Sequence, residues 1–225
     1  MKQKFLVIFA VSALLLPAMA SAAGYYATKA DERAGRLTPG NPPVPPPSGG
    51  LNRVGADSCP GLTIANPGAG TFNDSGTTIG ANNTVTSITP IGCTEYTQVN
   101  GPDVVYTFTL GAVGTRGSPL TITVTPSSNY DTSIYTLSTA GGGCPAGPSA
   151  AATNCINGSD AGGQDFAETI TDTETDAMSA GTYFLFVDSF YSAPTTGGVP
   201  HHNGPYTLAM GTGPFPVELM EFEVD

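Results

Sequence analysis

Three aspartates stand where the chain could hold a hard metal ion. Asp131 lies in a turn that leads into a strand-like run, Asp160 lies in the glycine-rich stretch N-G-S-D-A-G-G, and Asp188 ends an apolar run. Calcium binds several oxygen ligands, which Asp, Asn and backbone carbonyl groups supply. The same residue types also cap turns by hydrogen bonding to their own backbone. The sequence therefore indicates either a calcium site at Asp131, Asp160 and Asp188 or ordinary turn chemistry.

A second acidic motif fails the test for calcium. Asp172, Glu174 and Asp176 have the spacing that opens an EF-hand loop. That loop needs glycine at its sixth position and a bidentate glutamate at its twelfth. Ala177 and Tyr183 occupy those positions here. We therefore reject an EF-hand.

Catalytic chemistry has little to build on. The two histidines, His201 and His202, are adjacent in a Pro/Gly/Asn loop, and no lysine follows Arg53. A nucleophile needs a base beside it, and neither G-x-S-x-G nor H-E-x-x-H occurs. Pairs of carboxylates can hydrolyse glycosides, so a secreted hydrolase stays as the third hypothesis. We expect a protein that is not an enzyme.

Four cysteines, Cys59, Cys93, Cys144 and Cys155, are present. An even number in an exported chain is typical of disulfide bonds. Three pairings are possible, and we favour Cys59–Cys93 with Cys144–Cys155 because these join neighbours along the chain. A zinc site is the alternative, but a close C-x-x-C pair is missing.

The amino terminus predicts export. Lys2 and Lys4 precede an apolar run over residues 5–16, which Pro17 ends, and small residues follow at Ala18, Ala20 and Ala22. This order is typical of a secretory signal peptide at residues 1–22, cleaved after Ala20 or Ala22. The run is shorter than the roughly 20 residues that span a bilayer, which disfavours a membrane anchor. We expect a secreted or cell-surface protein without membrane insertion after cleavage.

Residues 23–56 form a Pro/Gly-rich arm. A short helix is possible over residues 27–37, but the prolines that follow favour an extended polyproline II spacer. These prolines are Pro42, Pro43, Pro45, Pro46 and Pro47. The arm is either a stalk or extension that contacts a partner, or a disordered linker.

Charge divides the chain in two. The formal net charge is −11. Of the basic residues beyond the signal peptide, only Arg116 follows residue 54, and the others are Lys29, Arg33, Arg36 and Arg53. Such an acidic main domain repels nucleic acid and anionic membranes, and it attracts cations. An ordinary acidic secreted protein has the same composition.

The main domain, residues 57–213, predicts an all-β fold. Apolar and polar residues alternate over residues 104–110, 120–125 and 206–210, while residues 182–187 are apolar on both faces and predict a central strand. Weaker strand signals lie at residues 62–65, 77–79 and 166–170. Several short strands separated by Gly and Pro favour an antiparallel β-sandwich. Residues 214–225 then add an amphipathic strand or tail, whose apolar residues are Val217, Leu219, Phe222 and Val224.

Several of these runs resemble the bacterial pre-peptidase C-terminal domain. The similar segments are D-V-V-Y-T-F-T-L from Asp103, L-T-I-T-V-T-P-S-S-N-Y-D-T-S-I-Y-T-L-S from Leu120, A-G-T-Y-F-L-F-V-D from Ala180, and G-P-Y-T-L-A-M from Gly204. They cover roughly half the chain. The resemblance implies a jelly-roll-like sandwich that accompanies secreted enzymes, with calcium first at Asp131 and Asp160. The segment with Cys144 and Cys155 looks like a disulfide-bearing variant, which we expect to act without an attached peptidase.

Two functions from different classes follow. The first is a non-catalytic module that binds an extracellular polysaccharide or protein with the support of calcium. In it, exposed aromatic residues such as Tyr130, Tyr135, Phe190 and Tyr191 stack on the ligand. The second is a self-assembling subunit of a filament or surface layer. In it, the arm or the strand with Val217, Leu219, Phe222 and Val224 pairs with the sheet edge of another copy.

Overall fold

The structure is a computed structural model. It describes residues 24–25, 38–39, 57–64, 71–90, 93–94, 99–111, 120–127, 130–145, 147–191 and 202–212. The strands are β1 (Gly24–Tyr25), β2 (Thr38–Pro39), β3 (Leu62–Ile64), β4 (Phe72–Thr77), β5 (Val85–Ile88), β6 (Val104–Leu110), β7 (Leu120–Pro126), β8 (Thr132–Ser138), β9 (Ala150–Ala152), β10 (Cys155–Ser159), β11 (Glu168–Ile170), β12 (Gly181–Ser189) and β13 (Pro205–Thr212). One short helix, α1 (Asp172–Asp176), lies between β11 and β12.

Two main sheets form the sandwich. The larger has five strands in the order β10-β8-β12-β6-β3, and the smaller has four in the order β11-β7-β13-β4. Their pairings are antiparallel except that β3 runs parallel to β6. Two further pairs, β1-β2 and β5-β9, form separate two-stranded sheets. The expected antiparallel β-sandwich is confirmed.

The core between the sheets follows the predicted alternation. Leu120, Ile122 and Val124 of β7 are buried, while the threonines between them are half-buried. The other two predicted rows also face this core: Val104, Tyr106, Phe108 and Leu110 of β6, and Tyr206, Leu208 and Met210 of β13. Because strand side chains alternate between faces, one residue in two suffices to build this layer.

A second apolar layer covers the outer face of the five-stranded sheet. Phe184 and Phe186 of β12 pack in it with Val85 and Ile88 of β5, while Leu185 and Val187 of β12 face the first core. Strand β12 also pairs with β6 on one side and β8 on the other. The prediction of a central strand covered on both faces is therefore confirmed.

Two disulfides are present, as expected, but the favoured pairing is wrong. The bonds join Cys59 to Cys144 and Cys93 to Cys155, across 85 and 62 residues respectively. The parallel pair β5-β9 is the physical reason, since it places the chain that follows β5 beside the start of β10, where the Cys155 amide donates to the Thr89 carbonyl. The cysteines that are bonded are therefore not those that are adjacent along the chain.

Some elements differ from the expected ones, and strands β5, β9 and β10 were not expected. The strand expected at residues 77–79 ends at Thr77 and begins at Phe72, and the one expected from residue 166 begins at Glu168. The acidic stretch from Asp172, for which an EF-hand was rejected, forms α1. Thr171 caps it, and the Glu174 side chain accepts from the Thr171 amide in return.

Several predicted features fall outside the described residues. They are the signal peptide, the helix at residues 27–37, the proline run and the strand with Val217, Leu219, Phe222 and Val224. Within the described part of the chain, no helix has the length and apolarity needed to cross a membrane.

Candidate functional site

Four aspartates lie at one end of the five-stranded sheet. Asp103 precedes β6, Asp131 precedes β8, Asp160 follows β10, and Asp188 is the penultimate residue of β12. Because these neighbouring strands run antiparallel, all four positions meet at the same end. Each aspartate is at most 1 % exposed. We call these four residues the acidic end.

The register aligns part of the acidic end in a row. Asp188 pairs with Ser133 across to β8. Val104 pairs with Val187, so the preceding Asp103 falls beside Asp188. Ser159 pairs with Ile134, so Asp160 falls beside Ser133. The Ser133 hydroxyl is buried and has no hydrogen-bond partner within the described residues.

The carboxyl groups of Asp188 and Asp103 each accept at least two hydrogen bonds. The Tyr135 hydroxyl donates to Oδ2 of Asp188 at 2.8 Å, and the Ser189 amide donates to its Oδ1 at 2.6 Å. The amides of Thr84 and Val85 donate to Oδ2 of Asp103 at 2.6 and 2.9 Å. Burial raises the pKa of Asp103 to about 6. Burial and the charge of Asp103 raise the pKa of Asp188 well above its usual value.

Glu168 is a buried carboxyl that the sequence analysis missed. Its side chain accepts from the Ser159 hydroxyl at 2.5 Å and from the amides of Ala161 and Gly162 at 3.2 and 2.8 Å. It thereby fixes the loop that carries Asp160. Burial raises its pKa to about 7, and the charge of Asp131 contributes to that rise. Its position two residues before the inward Ile170 was the available signal.

The described residues supply no Lys or Arg side chain to this end. All seven Lys and Arg residues of the chain lie outside the described residues. A buried carboxylate is stable only with a proton, a cation or several hydrogen bonds. Among the residues that the structure describes, however, no three His, Cys, Asp or Glu side chains form a group that could hold a metal ion. Calcium at Asp131, Asp160 and Asp188 stays a prediction.

An open groove runs along β10. It has a volume of about 560 Å³, and its walls are β10 with the following Asp160 and Ala161 on one side and Thr169, Thr171, Glu174 and Ala177 on the other. A smaller groove of about 300 Å³ continues from Ile156 toward the start of β12. Ile156 is 46 % exposed, and the only other large exposed hydrophobic side chain among the described residues is Ile79. We call the larger cavity the β10 groove.

The aromatic residues are arranged differently from the prediction. Tyr130 and Tyr135 are fully buried and donate hydrogen bonds to the Asp188 carbonyl and carboxyl groups, so they cannot stack on a ligand. Phe190 and Tyr191 remain half-buried at the end of β12, with ring centroids 5.2 Å apart in an edge-to-face contact. Of the four expected aromatic contacts, only this pair is accessible.

Among the described residues, the histidine and the acidic side chains with raised pKa values do not line one common groove. His202 is half-buried, and its Nε2 lies 3.2 Å from the Asn203 amide nitrogen, while His201 lies outside the described residues. Glu168, Asp103 and Asp188 have raised pKa values but are absent from the described lining of the β10 groove.

No model of a known protein family matches the chain, and no curated protein matches it either.

Proposed function

We propose that this protein is a secreted, non-catalytic β-sandwich module that binds an extracellular protein or polysaccharide and is stabilised by calcium at its acidic end. One observation carries the proposal: four buried aspartates from four neighbouring strands meet at one end of a sheet. The two disulfides support an extracellular location, because such bonds persist in oxidising compartments.

The chemistry of the donors supports calcium over other metals. The acidic end offers carboxylate oxygens, with the Ser133 hydroxyl beside them, and the four cysteines of the chain are in disulfides and are not free thiolates. Calcium prefers six to eight oxygen ligands and accepts flexible geometry, so a pair of carboxylates with backbone carbonyls suits it. Asp131 and Asp160 are the first candidates, and Asp188, which accepts from Tyr135 and Ser189, is the third. Bound calcium would neutralise charge that otherwise opposes folding.

Calorimetric titration of the processed protein with calcium tests this proposal. We expect saturable binding and a higher melting temperature in calcium than in chelator. Asp160→Asn should weaken both effects, while Asp176→Asn, on the exposed end of α1, serves as the matched control. A flat titration with an unchanged melting temperature would remove calcium from the proposal.

The β10 groove is the best candidate for the ligand. Its described lining has hydroxyls, the Glu174 carboxylate and the exposed Ile156, but no aromatic side chain. Sugar sites usually offer an aromatic platform, so this lining favours a peptide segment, whereas the pair Phe190–Tyr191 is the better candidate for a polysaccharide. Glycan-array binding that is lost in Phe190→Ala/Tyr191→Ala would select the polysaccharide. Binding of a protein partner in a pull-down that is lost only in Ile156→Lys would select the peptide.

Self-assembly is the second candidate, and the distribution of charge favours it. The arm carries Lys29, Arg33, Arg36 and Arg53 against Asp31 and Glu32, a net charge of +2. The described domain has eleven acidic residues and no Lys or Arg: Asp57, Asp74, Asp103, Asp131, Asp160, Asp165, Glu168, Asp172, Glu174, Asp176 and Asp188. Opposite charges on two parts of one chain promote association between copies. Light scattering of the processed protein, with and without residues 214–225, tests this. A monomer at every concentration would rule it out.

A further inference from the structure

We propose that the open edge of β10 is the acceptor for an extended segment of the N-terminal arm of a second copy. The inference rests on the self-assembly form of the proposed function and names its contact surface. Strand β10 is an edge strand, because among the described residues it pairs with β8 alone. An edge strand presents unpaired backbone groups to which another extended segment can add.

The β10 groove gives that edge room for an added strand. The groove follows the strand from Ile156 to Ala161, and α1 with Thr169 and Thr171 forms its opposite wall. Across it, the Asn157 side-chain amide donates to the Glu174 carbonyl at 3.3 Å, a side-chain bond that an incoming backbone can replace. At the far end, Glu168 already accepts from the amides of Ala161 and Gly162, so the receptive edge ends there.

Ile156 gives the groove an apolar anchor point. The register of β10 with β8 shifts between Cys155 and Asn157, and Ile156 lies in that irregularity. Its side chain is 46 % exposed and lines both the β10 groove and its smaller continuation. An exposed apolar residue where two grooves meet, with polar side chains beside it, has the arrangement of the apolar core and polar rim of a protein interface.

Charge selects the arm as the occupant. The walls of the groove include Glu174, and α1 adds Asp172 and Asp176 without a basic residue in its last turn. The arm, residues 23–56, supplies four basic residues against two acidic ones, Asp31 and Glu32, for a net charge of +2. The carboxyl-terminal segment instead brings four more acids, Glu218, Glu221, Glu223 and Asp225. Like charges across a contact disfavour it, so the arm fits this surface better than the tail does.

The positions of the two sheet edges make a contact between copies directional. The arm leads into β3, and β3 and β10 are the two opposite edges of the five-stranded sheet. An arm that leaves near one edge and binds the other edge of the next copy makes a head-to-tail contact. Such heterologous contacts extend into open chains unless the rotation closes a ring.

The test uses the full processed protein with two matched substitutions. Ile156→Lys places a like charge against the arm, and Ile79→Lys changes the other exposed isoleucine, which lies after β4. Light scattering over a concentration series measures association, and circular dichroism checks that both variants fold. We expect Ile156→Lys, and likewise Arg33→Glu/Arg36→Glu, to weaken association at least roughly tenfold, which corresponds to about 1.4 kcal/mol. Ile79→Lys should behave as the parent.

The outcomes separate the acceptor from the assembly. If the parent associates and Ile156→Lys associates equally well, the β10 groove is not the acceptor, although self-assembly stands. If Ile156→Lys loses association but Arg33→Glu/Arg36→Glu keeps it, another segment occupies the groove and the arm is excluded. A parent that stays monomeric overturns both the inference and the self-assembly candidate.

Discussion

The hydroxyl groups of Tyr106 and Tyr206 lie 2.8 Å apart between the two sheets. Tyr106 belongs to β6 and Tyr206 to β13, so this hydrogen bond joins the five-stranded sheet to the four-stranded one. The Tyr106 hydroxyl also donates to Asp74 of β4 at 3.2 Å. A buried hydroxyl needs such a partner, and the pair thereby fixes how the sheets face each other.

Gly76 makes room for this pair. A Cβ atom at Gly76 would overlap the Tyr206 ring and hydroxyl. Gly76→Ala should therefore force Tyr206 away from Tyr106 and lower the free energy of unfolding by about 1–3 kcal/mol. Gly142→Ala is the control, because its added Cβ would make only ordinary contacts with Asn154, the nearest at 3.4 Å. Equal urea midpoints for the two variants would contradict the packing described.

The disulfides should map as Cys59–Cys144 and Cys93–Cys155. Peptide mapping of the unreduced protein measures this directly. Both bonds close long loops, so Cys93→Ala/Cys155→Ala should lower the free energy of unfolding by about 4 kcal/mol. Recovery of Cys59 linked to Cys93 would contradict the layered arrangement of β5 and β9.

Stability should fall as the pH rises through the range of the buried carboxyls. The pKa of Asp103 is 3.8 when exposed and about 6 in the fold, and that of Glu168 is 4.5 and about 7. Folding raises both pKa values, so the fold is most stable when the pH is below the pKa of the exposed carboxyl. Stability is then lost as the pH rises toward the pKa of the same carboxyl in the fold. Each carboxyl then opposes folding by an amount on the order of 3 kcal/mol.

Thermal unfolding in chelator between these pH values measures that loss. Asp103→Asn should flatten the part of the curve below about pH 6. Asp172→Asn changes a half-buried carboxyl of α1 and is the control. A melting temperature that rises with pH over the same range would contradict the assigned burial.

Much of the fold could be predicted from alternation alone. Residues such as Ile122 and Leu208 point inward because a half-buried strand repeats every two residues, and the run around Leu185 is apolar on both faces because β12 lies at the centre of the sheet. Asp103, Asp131 and Asp188 adjoin or end those same runs, so their common end could have been inferred once the strands were paired.

The remaining features depend on contacts between distant parts of the chain. The pairing of Cys93 with Cys155 follows from the parallel pair β5-β9, which has no local signal. In the sequence, Tyr130 and Tyr135 resemble exposed aromatic residues of a binding site, yet their hydroxyls donate to Asp188 inside the domain. The β10 groove likewise exists only after α1 packs beside an edge strand.

Terbium luminescence is the most direct test of calcium at the acidic end. Terbium occupies calcium sites and emits when a nearby aromatic side chain is excited. The chain has no tryptophan, and Tyr130 adjoins Asp131 and donates to the Asp188 carbonyl at 2.9 Å. We predict tyrosine-sensitised emission that calcium displaces and that Asp160→Asn and Tyr130→Phe each reduce. An absence of sensitised emission, or emission that calcium leaves unchanged, would contradict the proposal.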